Sequence, residues 1–190
     1  KDGSQSEVKN YLLNRGINEE TIKTFQIGFA PKGWDNLSTF FKKNLDPELQ
    51  KVDAGLFKIS EKNNKIYDVF RNRIIFPIKS HRDQIIGFGG RVIDPTDNPK
   101  YLNSSDSDIF KKGRELYGLS EILKNKKRIN RIVVVEGYTD VLSLFSNDMN
   151  YAVATLGIAT SKVHIDKLFT HVDEVIFCFD GDDAGVKAAE

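Results

Sequence analysis

Two short apolar runs in the C-terminal third, each stopped by a carboxylate and a glycine, limit what this chain can fold into. They are Arg131-Ile-Val-Val-Val-Glu136-Gly-Tyr-Thr-Asp140 and Glu174-Val-Ile-Phe-Cys-Phe-Asp180-Gly-Asp182-Asp183-Ala-Gly185. Ile132 to Val135 and Val175 to Phe179 have the length and the β-branched or aromatic content of strands buried on both faces. Such strands, separated by helical patterns, predict a parallel sheet. Ligands of parallel sheets bind at the carboxyl ends of the strands. Glu136, Asp180 and Asp182 fall at those ends, and the glycines after Glu136 and Asp180 are expected to turn the backbone sharply there. Converging carboxylates repel one another unless a cation neutralises them, and hard cations such as Mg²⁺ take oxygen ligands. The pattern points to metal-dependent phosphate chemistry.

At 190 residues the chain has length for one large domain or two small ones. No apolar run approaches the ~20 residues of a membrane span, and no signal-peptide pattern opens the sequence. A cytoplasmic protein is expected. The single Cys178 lies in a strand-like run and reads as a buried, inert thiol. One cysteine with scattered His81, His164 and His171 cannot build a structural zinc site. Charge is unevenly spread. Residues 1–131 hold 25 Lys/Arg against 17 Asp/Glu, a surplus of +8, whereas residues 132–190 hold 3 against 10, or −7. A basic portion joined to an acidic, metal-ready one suits an enzyme that grips a polyanion. Two domains of unlike charge without a common partner would look the same.

Residues 4–15 form a capped helical pattern closed by Gly16, and a second begins at Asn18. Ile27–Pro31 reads as a connector, and Trp34–Asn44 as a third helix with Leu37, Phe40 and Phe41 inward. From Leu56 the period becomes strand-like, in Leu56–Ile59, Asp68–Phe70, Arg73–Ile78 and Ile85–Ile93, with turns at Glu61–Lys65 and Ser80–Gln84. The last two runs predict a hairpin, and Pro77 puts its strand at an edge or a bulge. Gly87, Gly89 and Gly90 lie in a strand pattern, so close backbone approach explains them better than a phosphate loop does. Residues 94–119 read as irregular and rich in donors to phosphate and sugar, and Ser120–Arg128 as a helix with a basic end. A boundary near residue 130 separates residues 1–129, an α+β subdomain, from residues 130–190. There strand 131–136, helix 138–147, strand 151–156, helix 160–171 and strand 174–179 alternate, and a last helix starts at Asp182 or Asp183. That helix reaches Glu190 without a stop signal, so the chain is expected to continue beyond it.

The Glu136-Gly-Tyr-Thr-Asp140 and Asp180-Gly-Asp182-x-Ala-Gly185 segments resemble the Toprim signature of topoisomerases and bacterial primases. Upstream, Arg71-Asn-Arg73-Ile-Ile-Phe-Pro-Ile, Gly87-Phe-Gly-Gly-Arg91, Lys100-Tyr101-Leu-Asn103-Ser and Phe110-Lys-Lys112-Gly-Arg114-Glu-Leu-Tyr-Gly-Leu are similar, in order and spacing, to motifs of DnaG-type bacterial primases. The resemblance spans roughly residues 5–190. It implies an α+β N-terminal subdomain followed by an α/β, Rossmann-like Toprim subdomain truncated at its C-terminus. It also implies template-directed RNA primer synthesis by nucleotidyl transfer. Glu136, Asp140, Asp180 and Asp182 match the acidic cluster, which implies Mg²⁺ or Mn²⁺ as cofactor. Arg71, Arg73, Arg91, Lys100, Tyr101, Asn103, Lys112 and Arg114 match motifs tied to nucleotide and template. The implied partners are single-stranded DNA, NTPs, an RNA–DNA hybrid product and a replicative helicase, for a monomer working at the bacterial replisome without a membrane. The family's N-terminal zinc ribbon, the only zinc expected, its helicase-interacting domain and a further Asp-x-Asp pair are not in this sequence, so activity would need the rest of the protein.

On this resemblance Asp180 and Asp182 are expected to ligate metal. Glu136 would be a ligand or the proton acceptor for the attacking hydroxyl, and Asp140 would support the metal through water. Lys100, Lys112 and Arg114 would hold the triphosphate, and Tyr101 and Asn103 the nucleoside. Plainer roles compete. Asp182 or Asp183 could cap a helix, Asp140 could be a solvated helix carboxylate, and Lys111, Lys112 and Arg114 an ordinary basic loop. A nuclease or topoisomerase could use the same acidic site, although no nucleophilic tyrosine is marked. A non-catalytic nucleic-acid-binding module could keep the fold.

Overall fold

The computed structural model describes residues 3–44, 55–124, 129–157 and 159–181, and its strands form three sheets. Helix α1 (Gly3–Asn14) stops where Gly16 takes a positive φ of 76°. Helix α2 (Glu19–Thr24) starts where the Asn18 side chain accepts the Thr21 N–H at 2.8 Å, satisfying a donor the first turn leaves unpaired. A four-stranded antiparallel sheet follows, in the order β1 (Gly28–Ala30), β4 (Arg73–Lys79), β5 (Ile85–Val92), β6 (Tyr101–Asn103). The β4–β5 hairpin is the expected one, closed by the Ser80 N–H on Gln84 O at 2.9 Å. A separate ribbon pairs β2 (Phe57–Ile59) with β3 (Ile66–Asp68).

Several expectations need correction here. The Ile27–Pro31 connector contains β1, a three-residue strand too short to carry a period. Tyr101–Asn103, expected to be irregular, is β6 and pairs with Gly89–Arg91. The strand expected at Asp68–Phe70 ends at Asp68, whose carboxylate turns away to accept the Leu37 and Ser38 N–H groups at 2.7 and 3.0 Å. Those donors belong to the first turn of α3 (Asn36–Asn44). Along α3, Leu37 and Phe41 are half-buried but Phe40 is exposed, because it is off the face that meets β3. Pro77 lies in an inner strand, yet β1 pairs only with Arg73–Ile75, and a bulge falls one residue later, between Ile78 and Lys79. Its missing N–H therefore faces no neighbour on the β1 side.

The C-terminal part is the predicted α/β alternation: β7 (Arg131–Val135), α5 (Tyr138–Ser146), β8 (Ala152–Ala154), α6 (Lys162–Phe169) and β9 (Glu174–Phe177). All pairings are parallel, in the order β8-β7-β9. Central β7 is buried from Ile132 to Val135. Edge strand β9 is only half-buried at Val175 and Ile176, and Cys178 beyond it is exposed. The buried thiol and the strand covered on both faces are thus not found at β9, which among the described residues pairs with β7 alone and is only half-covered on its faces. Helix α4 (Leu119–Lys124) begins the expected 120–128 helix; residues 125–128 and the helix expected from Asp182 lie outside the described residues. One apolar core runs through both parts, joining Phe25, Phe76 and Tyr117 to Tyr138, Val141 and Val134. Among the described residues no helix is long and apolar enough to cross a membrane.

Candidate active site

Parallel pairing of β7 with β9 aligns Val134 with Phe177, so the chain leaves both strands on the same edge of the sheet. There the Glu136 Oε1 accepts the backbone N–H of Asp180 at 2.8 Å. Both residues are exposed. The backbone bends at Gly137 and Gly181 as expected, and neither glycine needs a positive φ to do so. Gly137 is extended, at φ −134°, and its N–H donates to the Asp140 Oδ2 at 3.0 Å. A Cβ on Gly137 would come within 3.1 Å of that oxygen, so the glycine gives the carboxylate room. Asp140 thereby joins Glu136 and Asp180 at the head of α5.

Electrostatics support this grouping. Partial burial is the largest influence on the Asp140 carboxyl and raises its pKa, while the Gly137 N–H opposes the rise. The charges of Asp180 and Glu136 raise it further, and the Arg91 guanidinium pulls it down. These are all-oxygen donors under mutual repulsion, a set suited to a hard divalent cation. Asp182 lies outside the described residues. Among the described residues no group of three or more His, Cys, Asp or Glu side chains is close enough to hold a metal by itself. Glu136 and Asp180 would therefore contribute only part of a coordination sphere.

The basic residues divide into three places. Arg91, Tyr101 and Asn103 adjoin the acidic cluster. Arg91 is buried, its guanidinium 5.4 Å from the Tyr11 and Tyr101 ring centroids, with Nε and Nη1 unpaired among the described residues. Lys100 reaches over Tyr101 at 5.9 Å. Asn103 is engaged at both ends, accepting the Tyr138 hydroxyl at 2.7 Å and donating to Leu156 O at 2.8 Å. Its amide pins β6 to the parallel sheet. Arg73 is buried, and its Nη1 donates to Pro99 O at 2.8 Å, under the loop that leads to Lys100. Arg71 lies apart, stacked over Trp34 at 4.1 Å and Tyr67 at 5.6 Å, its Nη1 donating to Asp68 O. Lys112 and Arg114 occupy a 3₁₀ turn, Lys112–Arg114.

That turn is held by groups the sequence reading left out. Ser161 Oγ donates to Gly113 O at 3.1 Å, and Lys167 Nζ donates to Arg114 O at 2.9 Å and pairs with Glu115 at 2.8 Å. Ser161 also caps α6, accepting the His164 N–H at 3.3 Å, while the buried His164 Nδ1 accepts the Ser161 N–H at 3.2 Å. The start of α6 follows β8 in the β-α-β order, so this turn sits at the same carboxyl edge as Glu136. Tyr138 is the other omission. It stacks on Phe76 at 4.8 Å and 8°, meets Tyr117 edge-on at 4.7 Å, and covers Gly89. Its only sequence signal is its place between Glu136 and Asp140. An apolar cavity of about 510 Å³, lined by Phe29, Leu37, Phe70 and Phe88, has none of these acidic residues in its wall.

Comparison with known proteins identifies relatives of both parts of the chain. Residues 1–123 match the family model for the N-terminal domain of the DNA primase catalytic core, and residues 130–190 match a Toprim domain. The DNA primase of Salmonella typhimurium is 49% identical over 182 residues, which cover 96% of this chain and 31% of that protein. The DNA primase of Pseudomonas putida is 47% identical, covering 98% and 28%. The chain thus spans about a third of the length of these curated relatives. Among solved structures, the Escherichia coli primase catalytic core superposes with a TM-score of 0.90 at 46% identity, over 99% of this chain and 59% of that one. A DnaG primase catalytic domain bound to ssDNA gives 0.89 at 46% identity, over 100% and 58%.

Proposed function

The chain belongs to the DNA primase catalytic core family, and from that premise we propose that it carries part of the nucleotidyl-transfer site of a primase. The protein it comes from would synthesise short RNA primers on single-stranded DNA. The supporting observation is the meeting of Glu136 and Asp180 at the carboxyl edge of the parallel sheet, through the 2.8 Å hydrogen bond from Asp180 N. That bond uses one Glu136 oxygen and, among the described residues, leaves the other for a substrate or an ion.

In this reading Asp180 and Asp182, with Glu136, hold Mg²⁺ or Mn²⁺. When bound, such an ion offsets charge developing on the α-phosphate and lowers the pKa of the attacking 3′-hydroxyl. Glu136 takes the proton from that hydroxyl as it attacks, and pyrophosphate leaves in line. Lys112 and Arg114 hold triphosphate oxygens from the α6 side, and Lys100 does so from β6, as compact or forked donors. Tyr101 offers a face to the nucleoside. Asn103, with both amide ends engaged, fixes the distance between β6 and the sheet. The Arg91 charge acts on Asp140 and opposes the rise of that carboxyl's pKa.

Glu136→Gln in the full-length protein tests this reading. The amide keeps the size and can still accept the Asp180 N–H, but it takes no proton at neutral pH. Primer synthesis at saturating template should lose about 10²- to 10⁴-fold in kcat with little change in the apparent KM for NTP. Near-full turnover would make Glu136 structural and favour a binding module.

A further inference from the structure

The Lys112–Arg114 turn is too short to hold its own shape. It is a single 3₁₀ turn entered from Lys111 at φ −131° and left by Glu115 at φ −108°, both extended, and no side chain caps its start. An isolated turn of this length costs more chain entropy than its one hydrogen bond, Arg114 N–H to Lys111 O, offsets. Its conformation therefore comes from outside. On one side the Asp106 Oδ1 accepts the Lys112 N–H at 3.1 Å. On the other, α6 reaches across from the acidic part, Ser161 Oγ donating to Gly113 O and Lys167 Nζ to Arg114 O. The buried His164 holds Ser161 in place by accepting its N–H. Phe110 and Leu116, both buried, anchor the segment before and after the turn.

The side chains of the turn are left as open as its backbone is tied. Lys112 is half-buried and Arg114 exposed, and among the described residues neither head group has an ion pair or a hydrogen bond. Lys167, by contrast, commits its ammonium to Arg114 O and to the Glu115 carboxylate at 2.8 Å. It is a neutralised tie and not a free phosphate donor. An interface that served packing alone would meet here through apolar groups. Instead, two side chains of one helix grip two successive carbonyls in the stretch that carries both open cations. A fixed backbone under a long cationic side chain leaves less freedom to lose when that side chain closes on a ligand.

We propose that Ser161, His164 and Lys167 are positioning residues for the triphosphate: through the Gly113 and Arg114 carbonyls they hold Lys112 and Arg114 at the carboxyl edge where Glu136 and Asp180 meet. This rests on the primase reading and adds to it the groups that set NTP affinity without touching the NTP. Ser161 and Lys167 supply the two ties, and His164 orients Ser161. The turn belongs to the basic part and α6 to the acidic part, so the cations are registered against the carboxylates by bonds that cross between the two.

Primer synthesis by the full-length protein, at saturating template and varied NTP, tests this. Ser161→Gly removes the hydroxyl but leaves a residue that helix starts tolerate. It should raise the apparent KM for NTP about 2- to 12-fold, the range of one lost hydrogen bond, with kcat held. Ser161→Thr, which keeps the hydroxyl, should restore the KM. Lys167→Met keeps the stem and loses both ties, so it should raise KM likewise, and Lys167→Arg should recover most of the loss. In a Lys112→Ala, Arg114→Ala background, Ser161→Gly should change KM no further, because it acts through those two residues. Melting temperatures identify a variant that misfolds, and the other of the two then decides. An unchanged KM in either folded variant, while Lys112→Ala raises it, overturns the positioning role and leaves the primase reading intact. An equal rise with and without Lys112 and Arg114, or a fall in kcat at constant KM, does the same. If Lys112→Ala and Arg114→Ala themselves leave KM unchanged, the triphosphate reading of the turn falls as well.

Discussion

At the scale of single residues, the contact between Gly89 and Tyr138 decides how closely the antiparallel sheet approaches the parallel one. A Cβ built on Gly89 would fall 2.4 Å from the Tyr138 ring and 2.5 Å from its hydroxyl oxygen. Tyr138 cannot yield easily, because it is stacked on Phe76 and bonded to Asn103. Gly89→Ala should therefore destabilise the chain by about 1–3 kcal/mol, as overpacked cores do, seen as a lower denaturation midpoint in urea. No loss would mean that the two sheets can part without penalty. The glycine-rich strand was legible as a place of close approach, and the partner was not, because Tyr138 lies 49 positions along the chain. Asn103 teaches the converse. Its residue type fits a nucleoside contact, but the fold commits both ends of its amide to Tyr138 and Leu156. A polar residue's type announces that it will bond, not to whom.

Among elements, α6 has the clearest part in holding other groups in place. Ser161, His164 and Lys167, one turn apart, face the Lys112–Arg114 turn, so a helix of the acidic part fixes a basic loop of the other. His164 works as a neutral ring, since its Nδ1 must accept the Ser161 N–H. Burial lowers its pKa from 6.5; the Lys112 carbonyl opposes that, Lys167 adds to it, and Glu115 opposes it by charge and carbonyl. A histidine that is harder to protonate when folded leaves the unfolded chain holding more protons between the two pKa values. Stability should therefore be fullest above about pH 6.5 and fall as pH drops through that value toward the lowered one. Melting temperature followed from pH 8 to 5 should show this limb, and His164→Asn, which keeps an acceptor near Nδ1, should flatten it. An unaltered limb would assign acid sensitivity to other groups. Helix positions were readable because they depend on neighbours in sequence. The exposure of β9, Cys178 and Phe40 was not, since burial depends on which element lies alongside, and an edge strand has the same apolar composition as a central one.

Over the whole molecule, the division into a basic +8 portion and an acidic −7 portion acquires a spatial meaning. The acidic surplus includes Glu136, Asp140 and Asp180, gathered at one sheet edge. The cations stand around it at β5, β6 and the Lys112–Arg114 turn, and again at the β2–β3 ribbon beside Trp34. Charge asymmetry and the motif order made the α/β half and the acidic centre legible. The stack of Arg71 on Trp34 and Tyr67 was not, because it is built from α3's entry, β3 and the segment after it. A polyanion crossing this surface must meet phosphates with scattered lysines while avoiding the carboxylates, so binding should be driven chiefly by release of its counterions. The logarithm of the association constant for a thymidine 12-mer should then fall linearly with the logarithm of salt concentration. Lys65→Ala and Lys112→Ala should each reduce that slope by about 0.7, the single-strand increment for one phosphate contact. A slope unchanged by both lysine substitutions would mean that the charge surplus is incidental and that the nucleic acid follows another path.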